Sequence, residues 1–195
     1  GINAPLIRRP MSIYKIKFPF IEILYKVKGV GTKLLSEYKK GQKLNIMGPL
    51  GRGFDINKDF STAILIAGGY GVSPIVALYQ KLQNIGKKSI VILGAKTKDL
   101  IYKKDFKKAK ICTEDHTMGS KGVVTDLLKN VCKGINKSNP IMFACGPRAM
   151  LKKVALISKK HKIKCQVSLE EIMGCGIGVC LSCVCKTKSN KINTY

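Results

Sequence analysis

The spacing of hydrophobic positions changes twice along the 195-residue chain, and these changes predict three regions. In the first, residues 1–58, apolar and polar residues partly alternate at 21–27 and 43–47, a pattern typical of β-strands. Between them, Gly31 leads into a short predicted helix, and residues 48–51 carry turn chemistry. We therefore predict that the first region is predominantly β.

In the second region, residues 59–165, short apolar strands alternate with helical patterns. Strands are predicted at 63–67, 89–93, 110–112 and 140–144, and helices at 75–85, 124–131 and 148–161. The first of these strands is wholly apolar, as in a parallel strand that is covered on both faces. The alternation predicts an open, parallel α/β sheet.

The third region, residues 166–195, is rich in glycine and cysteine and too small to hold a core alone, so a metal centre would stabilise it. Its cysteines Cys175, Cys180 and Cys183 have the C-x4-C-x2-C spacing of the plant-type [2Fe–2S] loop, whose fourth cysteine lies further along. Thiolates are soft ligands for iron, and the glycines at 176 and 178 let the backbone curl around a cluster.

A structural zinc ion held by four thiolates is the alternative for this cysteine set. Zinc sites more often pair two C-x2-C knuckles, and the single such spacing here favours iron–sulfur. Cys185 is a weak fourth ligand because it lies only two residues from Cys183. We expect the fourth ligand beyond Tyr195, in a longer protein.

Two glycine-containing loops form a candidate nucleotide site. The first follows a strand and opens a helix, where backbone N–H groups and the helix dipole favour phosphate. The second ends a later strand on the same carboxyl edge, where open α/β sheets bind ligands. The candidate residues are Gly68, Gly69, Gly71, Cys145, Gly146 and Pro147. The first loop lacks the G-x-G-x-x-G spacing, so a plain turn is its alternative, and Cys145 is alternatively a small buried strand-end residue.

The formal net charge of +25 raises nucleic acid or an anionic membrane as partners. Only four residues are arginines, although specific phosphate and base contacts favour the planar arginine fork, and the lysines are scattered along the chain. We therefore predict solvated lysine-rich faces and no nucleic-acid partner. A basic, zinc-stabilised nucleic-acid-binding module remains the alternative of another class.

No apolar run is long enough to cross a bilayer, and the start of the chain has no secretory pattern. We predict no membrane span and a cytoplasmic location. In that compartment a crowded set of cysteines indicates a metal or redox centre in preference to disulfides.

Five motifs occur in the order found in the ferredoxin–NADP reductase superfamily, which the chain resembles over nearly its full length. They are Arg9-Pro10-Met11-Ser12, Gly29-Val30-Gly31-Thr32, Gly48-Pro49-Leu50-Gly51, Gly68-Gly69-Tyr70-Gly71-Val72-Ser73-Pro74 and Ala144-Cys145-Gly146-Pro147. The tail from Ser168 to Cys180 narrows the resemblance to the electron-transfer subunits of NAD-dependent (type B) dihydroorotate dehydrogenases.

The resemblance implies a mixed fold: an N-terminal FAD-binding antiparallel β-barrel at 1–58, an NAD-binding α/β domain at 59–165 and a small [2Fe–2S] segment at 166–195. Only eight residues precede Arg9, fewer than the barrel needs, so we expect an incomplete barrel and a piece of a longer protein. The segment at 166–195 is expected to be truncated as well.

The resemblance also implies site residues. The FAD contacts are Arg9, Pro10, Met11, Ser12, Leu24, Tyr25, Lys26, Gly31 and Thr32. Arg9 would contact phosphate, Ser12 would lie near the flavin ring, and Gly31 with Thr32 would hold the pyrophosphate. Cys145 would border the nicotinamide, and no side chain is expected to act as a catalytic acid or base. The alternative for Arg9 is a solvated charge beside Arg8.

As a partner, the resemblance implies an FMN-containing dihydroorotate dehydrogenase catalytic subunit, in a heterotetramer with two copies of each. Electrons from dihydroorotate would pass through [2Fe–2S] and FAD to NAD+, in pyrimidine biosynthesis. The preference for NAD over NADP rests on the resemblance. The nearest alternative is a reductase module of another NAD(P)H- or ferredoxin-linked complex, such as a hydrogenase, sulfite reductase or transhydrogenase. A subunit that has lost its cofactors is a further alternative.

Overall fold

The structure is a computed structural model that describes residues 7–135, 139–186 and 192–193. Its residues form two compact units. The larger unit contains 12–24 and 54–170, and the smaller unit contains the described parts of 1–11, 25–53 and 171–195. The strands are β1 (Ile13–Lys17), β2 (Phe20–Ile23), β3 (Thr62–Gly68), β4 (Lys88–Ala95), β5 (Lys110–Thr113), β6 (Ser120–Lys121), β7 (Pro140–Cys145), β8 (Lys164–Ser168), β9 (Cys185–Lys186) and β10 (Ile192–Asn193). The helices are α1 (Val30–Glu37), α2 (Val72–Asn84), α3 (Val124–Gly134) and α4 (Arg148–His161).

The larger unit is built on a six-stranded parallel sheet with the order β6-β5-β4-β3-β7-β8. The order reverses beside β3, since β4 pairs with one of its edges and β7 with the other. Ligands of open α/β sheets bind at such a switch point, outside the carboxyl ends of the strands. The predicted parallel α/β sheet is confirmed.

The apolar run of β3 is explained by cover on both faces of the sheet. Leu65 belongs to a core cluster with the buried residues of α2, whereas Ile64 and Ile66 belong to a second cluster with α3 and α4. Successive strand residues point to opposite faces, so an unbroken apolar run is what a doubly covered strand requires. Each fully buried isoleucine or leucine contributes roughly 1.5–3 kcal/mol.

An antiparallel hairpin of β1 and β2 also belongs to the larger unit. Tyr14 of β1 is buried in the core cluster that contains α2. The predicted strand at 21–27 is right for its first part, since β2 ends at Ile23. Residues 1–58 therefore contribute a small antiparallel sheet to the described part of the chain. Together, this sheet and the parallel sheet confirm the mixed fold class.

The strand predicted at 43–47 is wrong. No strand is formed there because these residues pair with no other described segment, and a strand needs a neighbour for its backbone hydrogen bonds. The apolar side chain of Met47 instead lies near Gly176, together with Leu50. In the smaller unit the regular elements of the described residues are α1 and the short ladder of β9 with β10. Within the described ranges, no helix is both long and apolar enough to cross a membrane.

Candidate nucleotide and cluster sites

The two predicted nucleotide loops lie side by side at the carboxyl edge of the sheet because β3 and β7 are neighbouring parallel strands. A Cβ atom added to Gly71 would lie 2.4 Å from the carbonyl oxygen of Cys145, and one added to Gly68 would lie 2.7 Å from Sδ of Met150. Gly146 has a φ of +153° and faces the backbone of Gly68. Gly71 and Gly146 are therefore required for the close packing of the two loops, whereas a Cβ at Gly68 would mainly meet the flexible side chain of Met150.

Gly69 has a different role from its neighbours. Its φ is +54°, and no described residue has an atom within 4 Å of the position of an added Cβ. It borders a shallow cleft at the ends of β3 and β4, lined by Ala67, Gly69, Val72, Leu93, Gly94, Leu100, Ile101 and Tyr102. The first turn of α2, which follows, has no acidic side chain, so its positive dipole end suits phosphate.

Cys145 is almost fully buried at the end of β7. Burial, together with the nearby carboxylate of Glu170, raises the pKa of its thiol to about 11. The thiol is therefore protonated at neutral pH and is not a nucleophile. Its burial agrees with the interpretation as a small strand-end residue, and its backbone still forms the edge of the second loop.

A pair of tyrosines at the cleft was missed by the sequence analysis. The hydroxyl of Tyr102 donates to that of Tyr70 at 3.5 Å, and the ring centroids are 5.7 Å apart. The hydrogen bond to Tyr70, with burial, raises the pKa of Tyr102 to about 12. Tyr70 stands inside the glycine loop, but no local signal marks Tyr102, which reaches the cleft through the fold.

The cluster loop, residues 174–183, wraps its backbone around two thiols. Sγ of Cys175 accepts hydrogen bonds from the backbone N–H groups of Ile177 at 3.5 Å, Val179 at 3.3 Å and Cys180 at 3.4 Å. Sγ of Cys180 accepts one from the N–H of Cys175 at 3.4 Å. The predicted curl is present, since the glycines at 176 and 178 have φ values of +76° and +81°.

These hydrogen bonds favour thiolates, the ligand form of cysteine. The Ser182 side chain, followed by backbone N–H groups, lowers the pKa of Cys180 to about 6. The N–H groups of Cys180 and Ile177 lower the pKa of Cys175. A Cβ added to Gly174 would lie 2.9 Å from Sγ of Cys180, so only glycine leaves room there. The donor set therefore fits a metal cluster.

The three predicted cluster ligands are not brought together in one site. Cys175 and Cys180 face each other across the loop, whereas Cys183 is buried in the smaller unit. The described residues contain no group of three or more histidine, cysteine or acidic side chains placed to hold a metal ion. Ser182 was not predicted from the sequence, and its hydroxyl lies 3.2 Å from Sγ of Cys180.

The predicted FAD contacts fall in both units. Arg9 is exposed, and its guanidinium donates to the carbonyl of Ile7 at 2.7 Å, whereas Arg8 donates to Asn45. The hydroxyl of Thr32 accepts from the N–H of Lys28 at 2.9 Å and so caps the start of α1. Pro10, Ser12 and Lys26 are exposed, and Met11, Leu24, Tyr25 and Gly31 are partly buried.

Thr32 therefore stabilises the N-terminus of the helix, and its hydroxyl is not free to bind the pyrophosphate. The N–H groups of the first turn of α1 have no acceptor within the helix and carry no acidic neighbour. The exposed Arg9 and this helix start fit the two charges of a pyrophosphate.

A parallel sheet with paired nucleotide loops and a thiolate loop suited to iron–sulfur together define a nicotinamide-nucleotide-linked iron–sulfur oxidoreductase. Two family matches agree: "Oxidoreductase NAD-binding domain" at residues 65–155 and "Iron-sulfur cluster binding domain of dihydroorotate dehydrogenase B" at residues 170–195. The chain belongs to the family of dihydroorotate dehydrogenase B (NAD(+)) electron transfer subunits, as predicted.

The relatives that carry this name include one from Bacillus cereus, which is 43% identical over 190 residues, covering 93% of this chain and 71% of the relative. Another, from Desulforamulus reducens, is 39% identical over 191 residues, covering 94% of this chain and 72% of the relative.

Solved structures show the same fold. The NADH-dependent reduced ferredoxin–NADP oxidoreductase studied for flavin-based electron bifurcation matches with a TM-score of 0.85 and 29% identity, covering 96% of this chain and 69% of that one. The ferredoxin reductase of carbazole 1,9a-dioxygenase matches with a TM-score of 0.59 and 16% identity, covering 82% and 55%, and shows the fold alone. The chain is therefore an oxidoreductase subunit with an NAD-binding domain and an iron–sulfur domain.

Proposed function

We propose that this chain passes electrons from a dihydroorotate-oxidising, FMN-containing partner through [2Fe–2S] and FAD to NAD+, in pyrimidine biosynthesis. The observation that carries the proposal is the thiolate loop at Cys175 and Cys180, with its shell of backbone N–H donors, in a chain that also holds paired nucleotide loops. A one-electron carrier and a two-electron acceptor in one chain require a converter between them. A bound flavin supplies that conversion.

Cys175, Cys180 and Cys183 would hold the cluster, and the N–H groups that donate to the sulfur of Cys175 would stabilise its negative charge. Arg9 and the start of α1 would bind the FAD pyrophosphate, and the residues that would line the flavin are Pro10, Met11, Ser12, Leu24, Tyr25 and Lys26. Thr32 contributes by capping that helix. The residues of this chain bind and orient, and none is required to move a proton.

The NAD site is formed by Gly68, Gly69 and Gly71 with the loop of Cys145, Gly146 and Pro147. The open position at Gly69 and the start of α2 receive the phosphates, and the backbone of Cys145, whose thiol is buried, borders the nicotinamide. We assign residues 1–58 to FAD, 59–165 to NAD and 166–195 to the cluster. The family matches at 65–155 and 170–195 support the second and third assignments.

The partner binds where the cluster loop is apolar and exposed. Ile172, Ile177 and Val179 are 86%, 62% and 74% exposed and lie close together along the chain. Covering them would also place the partner beside the cluster ligands. We take the assembly to be a heterotetramer with two copies of each subunit. A cytoplasmic location fits the eight free cysteines.

The proposal is tested by mixing the purified protein, in full-length form, with an FMN-containing dihydroorotate dehydrogenase catalytic subunit. We expect anaerobic, dihydroorotate-dependent formation of NADH that requires both subunits and is lost in Cys175→Ser. If the mixture reduces an artificial dye with dihydroorotate but forms no NADH, the proposed path is wrong. Electron exchange with ferredoxin in place of the catalytic subunit would favour the alternative of a ferredoxin-linked reductase.

A further inference from the structure

The β1–β2 hairpin is anchored to the nucleotide-binding core, although it belongs by sequence to the predicted flavin region. Tyr14 is 5% exposed and packs in the core cluster formed with α2. Leu24, just after the hairpin, is partly buried against the same cluster. The hairpin therefore moves with the nucleotide core.

A single carboxylate contacts two consecutive residues of the hairpin. Asp105 accepts a hydrogen bond from the hydroxyl of Tyr14 and forms an ion pair with the ammonium group of Lys15. The side chains of Lys15 and Asp105 are 13% and 11% exposed, so water screens this pair little. Asp105 follows shortly after Leu100, Ile101 and Tyr102, which line the cleft.

A second tie joins the hairpin to the first glycine loop. The hydroxyl of Ser73 donates to the backbone carbonyl of Ser12 at 3.2 Å, and the Ser73 side chain is buried. Ser73 stands in the first turn of α2, two residues after Gly71. The start of the hairpin is thus fixed to the same helix turn that carries the glycine loop.

We infer that Ser73 and Asp105 are positioning residues that fix the hairpin ends Ser12 and Leu24 relative to the nucleotide loops and so set the spacing of flavin and nicotinamide. This inference rests on the proposed function, in which Ser12 and Leu24 contact the flavin. Both ties lie inside the larger unit, so the positions of Ser12 and Leu24 relative to the nucleotide loops are fixed within that unit. Hydride transfer needs reacting atoms about 3–3.5 Å apart, and a displacement of about 1 Å costs roughly 100-fold in rate.

The test uses the full-length, FAD-loaded protein with Asp105→Ala and Ser73→Ala. We expect anaerobic reduction of the flavin by saturating NADH to slow by roughly 10- to 100-fold. The long-wavelength charge-transfer absorbance of reduced flavin with NAD+ should weaken, whereas FAD content and the Kd for NADH should stay within about twofold, since none of the proposed binding groups is removed. Hydrogen exchange in β1 and β2 should accelerate with or without flavin.

Asp105→Asn keeps an acceptor for Tyr14 and should restore most of the rate. Tyr14→Phe keeps the ring in the core but removes the hydrogen bond to Asp105. It replaces Asp105→Ala in the test if that variant does not fold. Leu128→Ala is the matched control, because Leu128 is fully buried in the other core cluster and touches neither tie. It should lower stability while leaving the rate and the charge-transfer band unchanged.

The inference is overturned if Leu128→Ala slows flavin reduction and weakens the band as much as Asp105→Ala does. It is also overturned if the rate in Asp105→Ala falls only in proportion to lost flavin. Absence of NADH-driven flavin reduction in the unmutated protein would instead overturn the proposed function, and the inference with it. Unchanged hydrogen exchange in the hairpin of Asp105→Ala would contradict the claim that Asp105 anchors the hairpin to the core.

Discussion

The cluster loop and the second nucleotide loop place the same residue type in opposite environments. Cys180 is exposed, and the Ser182 side chain and backbone N–H groups lower its pKa to about 6. Cys145 is buried at the end of β7, and burial raises its pKa to about 11. The difference decides the chemistry, since a thiolate binds metal whereas a neutral thiol fills space.

The two regions also use glycine for different purposes. In the cluster loop, glycines at 176 and 178 supply positive φ angles that aim N–H groups at sulfur. At the sheet edge, Gly71 is needed because a Cβ would collide with the backbone of the neighbouring loop. A ligand-binding loop can therefore be glycine-rich either to donate hydrogen bonds or to allow close packing. Four predictions test this contrast.

The largest effect is expected from Cys175→Ser. Removing the sulfur that accepts three backbone N–H bonds should abolish the cluster, with iron and acid-labile sulfide falling to background. Flavin reduction by NADH, per bound FAD, should persist, because the nucleotide loops belong to the larger unit. Cys165→Ser, in β8, is the control and should keep its iron. A full complement of iron in Cys175→Ser would show that the loop is not the cluster site.

Gly71→Ala should be the most destabilising change at the sheet edge. The new methyl group would meet backbone atoms of Cys145 at 2.4 Å, which cannot move aside as a flexible side chain can. We expect a loss of about 3 kcal/mol in the free energy of unfolding, measured by urea denaturation. Gly134→Ala is the matched control, since no described atom lies within 4 Å of its Cβ position. Equal effects of the two substitutions would contradict the packing role of Gly71.

Cys145 should make stability sensitive to alkaline pH. Its folded pKa of about 11 lies above the unfolded value of about 8.5, so both states hold the proton below pH 8.5. Above that pH only the unfolded state ionises, and the stabilisation is lost as pH rises towards 11. Between pH 7.5 and 10 this loss amounts to on the order of 2 kcal/mol.

Cys145→Ala should remove that share of the pH dependence, as measured by urea unfolding at the two pH values. Burial also raises the pKa values of Cys112 and Cys165 to about 11. The contributions of these two thiols to the pH dependence should remain in Cys145→Ala. An unchanged slope in Cys145→Ala would mean that this thiol is not protected from ionisation.

The smallest expected effect is that of Ser182→Ala on the reduction potential of the cluster. The hydroxyl lies 3.2 Å from Sγ of Cys180, and a hydrogen bond there favours the more negative, reduced state. Losing this hydrogen bond should lower the reduction potential of the cluster in a redox titration. Ser36→Ala, which removes an exposed hydroxyl of α1, should leave it unchanged. A rise in potential in Ser182→Ala would reverse the assigned role of the hydroxyl.

The sequence predicted those parts of the molecule that depend on neighbours along the chain. The cysteine spacing and its two glycines act within ten residues, so the curled loop could be foreseen. The apolar run of β3 likewise predicted a doubly covered strand, and both core clusters bear this out.

Other features depend on distant contacts and could not be foreseen. The link of Tyr14 to Asp105 spans 91 residues and ties the hairpin to the larger unit. The stretch at 43–47 alternates like a strand, but Met47 lies against the cluster loop instead. The burial of Cys145, the hydroxyl of Ser182 and the pairing of Tyr70 with Tyr102 likewise arise from the fold, not from a local pattern.

The central claim is that one chain connects a one-electron cluster to a two-electron nucleotide through a flavin. It is tested most directly by anaerobic titration of the purified full-length protein with NADH, followed by visible absorbance and electron paramagnetic resonance. We predict bleaching of the flavin and the appearance of the spin signal of a reduced [2Fe–2S] cluster. A colourless protein that carries stoichiometric zinc and does not respond to NADH would contradict it.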